Sequence, residues 1–136
     1  MKNIFIISFI SILSIACSQK TTKIAFYNTE NYFDTIDGPN DDAEYLPSSK
    51  LKWGKAKYDD KKRHVIEVIK ALNYPSIMGF CEIENKYVLD DLIQGDKKLK
   101  NYKPVHYDSP DLRGIDVGFI YNTSLFHWQL RVRVPD

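Results

Sequence analysis

The spacing of apolar positions changes several times along this chain, and each change marks an element. Residues 4–16 are an uncharged run of Ile, Phe, Leu, Ser and Ala behind Lys2. At roughly 13 residues the run is shorter than the about 20 a spanning helix needs, and its charge-then-apolar order is that of a secretory signal, which lies outside the fold. Lys23-Ile24-Ala25-Phe26-Tyr27 is rich in β-favouring side chains and predicts a first strand, with Asn28-Thr29-Glu30-Asn31 as its polar exit. Residues 34–57 hold no sustained period and contain Gly38-Pro39-Asn40, Pro47 and Ser48-Ser49, so a long loop is expected there. From Asp59 the period becomes helical: Val65, Val68, Ile69 and Leu72 share one face, Asp59 or Asp60 stands where a cap is wanted, and Asn73 with Pro75 ends the helix.

The run Ile77-Met78-Gly79-Phe80-Cys81 then stops abruptly at Glu82-Ile83-Glu84-Asn85. A buried strand over 77–82 would deliver Glu82 to its C-terminal lip, which is where α/β sheets place their chemistry. The competing reading has Glu82 and Glu84 capping the next helix, whose apolar side is Val88, Leu89, Leu92 and Ile93. After Gly95 and a lysine cluster come an alternating strand over 102–107, a turn-rich loop over 108–114, a strand over 115–121, a turn at 122–124 and a last strand over 126–134. Strand, helix, strand, helix in this order predicts a layered α/β sheet.

Composition narrows the class. A chain of 136 residues that is 43% hydrophobic can bury the core of one small domain. Nineteen basic against eighteen acidic residues give no global field toward a polyanion, so any attraction must be local. The apolar run ends at Ser14-Ile15-Ala16-Cys17, which resembles a bacterial lipobox, with Leu13 one place further from the Cys than is usual. On that reading residues 1–16 are a signal peptide, residues 17–22 a lipidated Cys17 and spacer, and the protein is an exported lipoprotein held on a bacterial envelope membrane. An ordinary cleaved signal with an incidental Cys is the alternative. Cys81, the other cysteine, reads as a small buried hydrophobe.

Asn28, Glu30 and Glu82 are hard oxygen donors just past two strands expected to be neighbours, and a few such donors with room for water and phosphate suit Mg²⁺. The plainer alternative makes Asn28 and Asn31 turn caps and leaves Glu30 solvated. Residues 50–63 carry Lys50, Lys52, Lys55, Lys57, Lys61, Lys62 and Arg63 with Trp53 and Tyr58 interleaved. That mixture can track a nucleic-acid backbone and stack bases, or can be a solvated loop and helix face. Nothing points to a protein partner.

Three segments in order carry a resemblance: residues 25–34 (AFYNTENYFD), residues 77–85 (IMGFCEIEN) and residues 109–121 (SPDLRGIDVGFIY). Together they resemble the endonuclease/exonuclease/phosphatase superfamily, the deoxyribonuclease I-like fold, in its exported bacterial branch. The resemblance implies an α/β four-layer sandwich of which residues 23–136 are the N-terminal half. It implies a phosphoester hydrolase using Mg²⁺, with Mn²⁺ as a substitute, most readily a nuclease acting on nucleic acid or another phosphodiester. A lipid or sugar phosphoesterase of the same family, or a non-catalytic lipid-anchored module, are the alternatives. By resemblance Asn28, Glu30 and Glu82 hold the metal, and Asn28, Glu82, Arg113 and Asp116 form the catalytic edge. For Arg113 and Asp116 a loop salt bridge with strand-start polarity is the alternative. Cys81 stands where the family commonly has Gln. The family's later His, its Asp-x-Asn pair and its terminal Asp-His do not occur, so the chain by itself is expected to be inactive and to leave one sheet face bare.

Overall fold

A computed structural model describes residues 21–126. In chain order the elements are β1 (Ile24–Tyr32), α1 (Lys55–Ala71), β2 (Ile77–Ile83), α2 (Lys86–Gln94), β3 (Tyr102–His106) and β4 (Asp116–Asn122). The strands form one mixed sheet in the order β1-β2-β4-β3. β1 and β2 run parallel, as their long α1 crossover requires, while β4 is antiparallel to both β2 and β3. This mixed α/β sheet agrees with the fold class expected from the sequence. Among the described residues no helix is long and apolar enough to cross a membrane.

Both helices lie on one face. Alternation along the strands turns Met78, Phe80, Ile83 and Ile120 inward, where Val65, Ile66 and Ile69 of α1 and Val88, Leu89 and Leu92 of α2 meet them. The buried Tyr102 hydroxyl donates to the Pro75 carbonyl at 2.9 Å, closing the core at the end opposite Glu82. The other sheet face is bare among the described residues: Ile24, Phe26 and Val117 are 71%, 64% and 61% exposed. Phe26 lies flat over Gly79, where a Cβ would stand 2.5 Å from the ring.

Three boundaries differ from those read in the sequence. β1 extends to Tyr32, so Asn28–Asn31 are part of the strand; pairing continues from Asn28↔Cys81 to Tyr32↔Ile83 across a register shift. α1 starts at Lys55 rather than Asp59. Its N-cap is Gly54, in extended backbone and without a side-chain cap, and Asp59 pairs with Lys55 at 2.6 Å inside the helix instead of capping it. β4 begins at Asp116 and ends at Asn122. Of the last expected strand only Phe126 is described; its remainder, Cys17 and the signal segment lie outside the described residues.

Candidate active site

The register shift in β1 is matched by one in β2, between Cys81 and Ile83 against β4. Three non-glycine residues at this place have left-handed backbone: Glu30 (φ 55°), Asn31 (φ 64°) and Glu82 (φ 60°). Such conformations cost about 1 kcal/mol or more each and persist only where the surroundings impose them. Here the restraint is visible. The buried Thr29 hydroxyl is shared between the carbonyls of Cys81 (2.8 Å) and Glu82 (2.9 Å), and Lys61 Nζ donates to the carbonyls of Thr29 (2.9 Å) and Glu30 (3.1 Å).

The bulge aims three polar groups at one another. Glu82 Oε1 accepts from Asn28 Nδ2 at 3.2 Å and Glu82 Oε2 from the Asn31 N–H at 3.0 Å. Asn28 Oδ1 accepts the Glu30 N–H at 2.8 Å, so Asn28 is also the turn cap that the plainer reading expected. Each Glu82 oxygen accepts one N–H in the fold and keeps lone-pair capacity beyond it. Glu30 is exposed and is tied to Asn28 through its backbone N–H. Carboxylate and amide oxygens with solvent access are a donor set that fits Mg²⁺ or Mn²⁺.

Capping by Glu82 and Glu84 is not what happens. Asn85 is the N-cap of α2, its Oδ1 accepting the Val88 N–H at 3.0 Å. Glu84 is buried and accepts the Asp34 N–H at 2.6 Å, while Asp34 Oδ2 accepts from Asn85 Nδ2 at 3.0 Å. Burial, reinforced by the charges of Asp34 and Asp42, pushes the Glu84 carboxyl up to about 7 against the pull of that N–H.

Arg113 and Asp116 line the same cavity as Glu82, of about 330 Å³. Arg113 is exposed and grips Asp111 through Nε (3.2 Å) and Nη2 (3.1 Å), the loop salt bridge of the alternative reading. Asp116 is not mere strand-start polarity. Its side chain is buried, Oδ1 accepts the Ser109 N–H at 2.8 Å, and Oδ2 lies 3.1 Å from Nε2 of the equally buried His106. With Asp108 this pair makes a second group of potential ligands whose atoms lie within 4.8 Å of one another. His106 belongs to no motif in the sequence; the signal available was strand pairing, which puts it opposite Gly118, a residue without a side chain. Tyr45 was also missed. Its ring stacks on Phe33 at 4.0 Å, and burial raises its hydroxyl, with the charges of Glu44 and Glu82 adding and that of Arg113 opposing, which places it at this lip.

Two expectations are corrected. Cys81 is half-buried on the open face and borders the cavity; burial and the neighbouring Glu82 charge raise its thiol. In the basic, aromatic stretch the two rings are folded inward, while Lys50, Lys52, Lys55, Lys57 and Arg63 stay exposed, as the solvated-face alternative has it. Trp53 is buried and donates to the Phe33 carbonyl at 3.1 Å; Tyr58 is buried and donates to Asp91 at 2.8 Å. Lys55, Lys57, Lys61, Lys62 and Arg63 all have internal partners. Neither aromatic ring is available to stack a base.

No curated protein and no solved structure matches the chain. A family model does, over residues 23–133, which takes in the strained bulge, Glu82 and the Arg113–Asp116 edge: the chain belongs to the endonuclease/exonuclease/phosphatase family.

Proposed function

We propose that this protein hydrolyses phosphodiester bonds with Mg²⁺ held at Glu82, and that it does so as a lipoprotein attached through Cys17. The observation that carries the site is the pair of bulges that turn Glu82 toward Asn28 and fix it with the Asn31 N–H. The family is one of phosphoester-cleaving enzymes, and the lip offers what that chemistry needs on the metal side. Glu82 and Glu30 would hold the ion, with Asn28 contributing its amide oxygen. A divalent ion held by these residues would supply charge neutralisation for the phosphoryl and leaving oxygens.

The protein's own residues set the geometry. Thr29 and Lys61 hold the carbonyls of the bulge, so the Glu82 carboxylate is oriented before substrate arrives. Arg113, at the cavity rim beside Asp111, is placed to meet a phosphate oxygen, and Asp116 positions the loop through the Ser109 N–H.

Nucleic acid is the first substrate class to test. A second reading, a small sugar or lipid phosphoester, is favoured by the burial of Trp53 and Tyr58, which leaves neither ring free to stack a base. In the complete protein, Glu82→Ala should abolish Mg²⁺-dependent cleavage of a chromogenic diester and Asn28→Ala should weaken it. Full activity in Glu82→Ala overturns the site. Cleavage of plasmid DNA that is insensitive to salt, or absent while the small diester is cleaved, selects the second reading.

A further inference from the structure

The chain carries a net charge of only +1, yet its charges are not evenly placed. β1 and β2 start, α1 and α2 finish, β3 starts and β4 ends at one pole of the sheet. Six lysines, all exposed, belong to that pole: Lys23, Lys70, Lys97, Lys98, Lys100 and Lys103. Among the described residues the carboxylate nearest these lysines, Asp96, is already held by Lys70 at 3.1 Å and by the Tyr74 hydroxyl at 3.2 Å, and Glu67 stands one turn before Lys70 on α1. Carboxylates gather at the opposite pole, around Glu82, Glu84, Asp34 and Asp116. Between the lysines stand exposed apolar side chains: Ile24, Leu72 and Leu125 are 71%, 42% and 53% exposed.

We propose that this basic pole is a docking surface for an anionic phospholipid membrane. Lysines held at such a surface gain from its negative potential, and apolar side chains among them gain from insertion at the headgroup boundary, which a nucleic acid would not reward. Residues 18–22 alone separate Cys17 from Lys23, a reach of at most about 20 Å. The inference therefore rests on the lipid-anchor reading for the membrane's proximity, while the affinity it assigns belongs to the folded pole. Docked this way, the Glu82 lip points away from the membrane, roughly 20 Å from it by the rise of β2. Phosphoesters outside that membrane, rather than its own headgroups, are then what the lip meets.

The four lysines to change are Lys23, Lys97, Lys100 and Lys103, whose ammonium groups make no hydrogen bond or ion pair among the described residues, so their loss leaves the fold intact. The mature chain, residues 17–136, with Cys17→Ser cannot carry lipid on that residue and lacks the apolar signal run. It should co-sediment with vesicles of phosphatidylcholine and phosphatidylglycerol, not with phosphatidylcholine alone, and should dissociate as salt rises from about 0.05 to about 0.5 M. Adding Lys23→Gln, Lys97→Gln, Lys100→Gln and Lys103→Gln should weaken this binding on the order of 100-fold, at several-fold per lysine, with an unchanged circular-dichroism spectrum. Equal binding to both vesicle types, or no effect of the four substitutions, overturns the proposal. So does tighter, substitution-sensitive binding to a DNA duplex than to vesicles of equal phosphate. Lipid labelling of the unsubstituted chain tests the anchor separately: no label with intact vesicle binding removes the anchor and leaves the pole, and label without vesicle discrimination does the reverse.

Discussion

Glu84 supplies a pH dependence whose sign and size follow from its surroundings. Its carboxyl is buried, faces Asp34 and Asp42, and is raised from 4.5 to about 7. At about 1.4 kcal/mol per unit, ionising it in the folded state costs roughly 3 kcal/mol. Because the folded state binds this proton more tightly than the unfolded chain, the stabilisation is fully present below about 4.5, is lost progressively as pH rises to about 7, and stays lost above. Glu84→Gln keeps the acceptor for the Asp34 N–H and removes the titration. The variant should therefore match the parent near pH 4.5 and exceed it by 2 to 3 kcal/mol, roughly, at pH 8. Urea unfolding followed by tryptophan fluorescence, at high dilution to suppress association, measures both. Asp59, Asp60, Asp96 and Asp111 are lowered by partners and act in the opposite sense at lower pH, and they cancel in the difference between the two proteins. A difference that stays constant from pH 5 to 8 would refute the reasoning and show Glu84 ionised throughout.

Thr29→Val leaves the Cys81 and Glu82 carbonyls without their shared hydroxyl and should cost about 1 to 2 kcal/mol in chemical unfolding, with weaker divalent-ion binding. Gly114→Ala is strained at φ 69° and puts a Cβ 2.1 Å from Asn40 Nδ2; it should destabilise by about 1 to 3 kcal/mol and raise hydrogen exchange at the Asp41 N–H, which donates to Leu112. Phe26→Thr, together with Ile24→Thr, should shift the chain toward monomer in analytical ultracentrifugation, because both side chains stand on the bare sheet face.

The elements with a strong period were readable from the sequence. Val65 and Ile69 lie on the buried side of α1, and the 77–82 run is a central strand delivering Glu82 to its lip. What escaped was whatever depends on non-local geometry. Residues 28–31 look like a polar exit because their side chains break alternation, yet the strand continues through them as a bulge stabilised by Lys61, 32 residues beyond Thr29 in the chain. Lys55 to Lys57 look like loop because a glycine cap carries no side-chain signature. Trp53 and Tyr58 look exposed amid lysines, and only the packing of Phe33, Tyr45 and Ile115 and the placement of Asp91 turn them inward. His106 ends β3 and Asp116 begins β4, and the two side chains meet across the intervening loop because the strands pair.

Binding of a divalent ion at Glu82 is tested without any catalytic readout by Mn²⁺ titration of the chain, followed by paramagnetic broadening of its amide resonances. The Asn28 side-chain amide and the Asn31 and Glu82 N–H signals should broaden first, and Glu82→Ala should remove the effect. Broadening centred on His106, Asp108 and Asp116, or unchanged by Glu82→Ala, would contradict it.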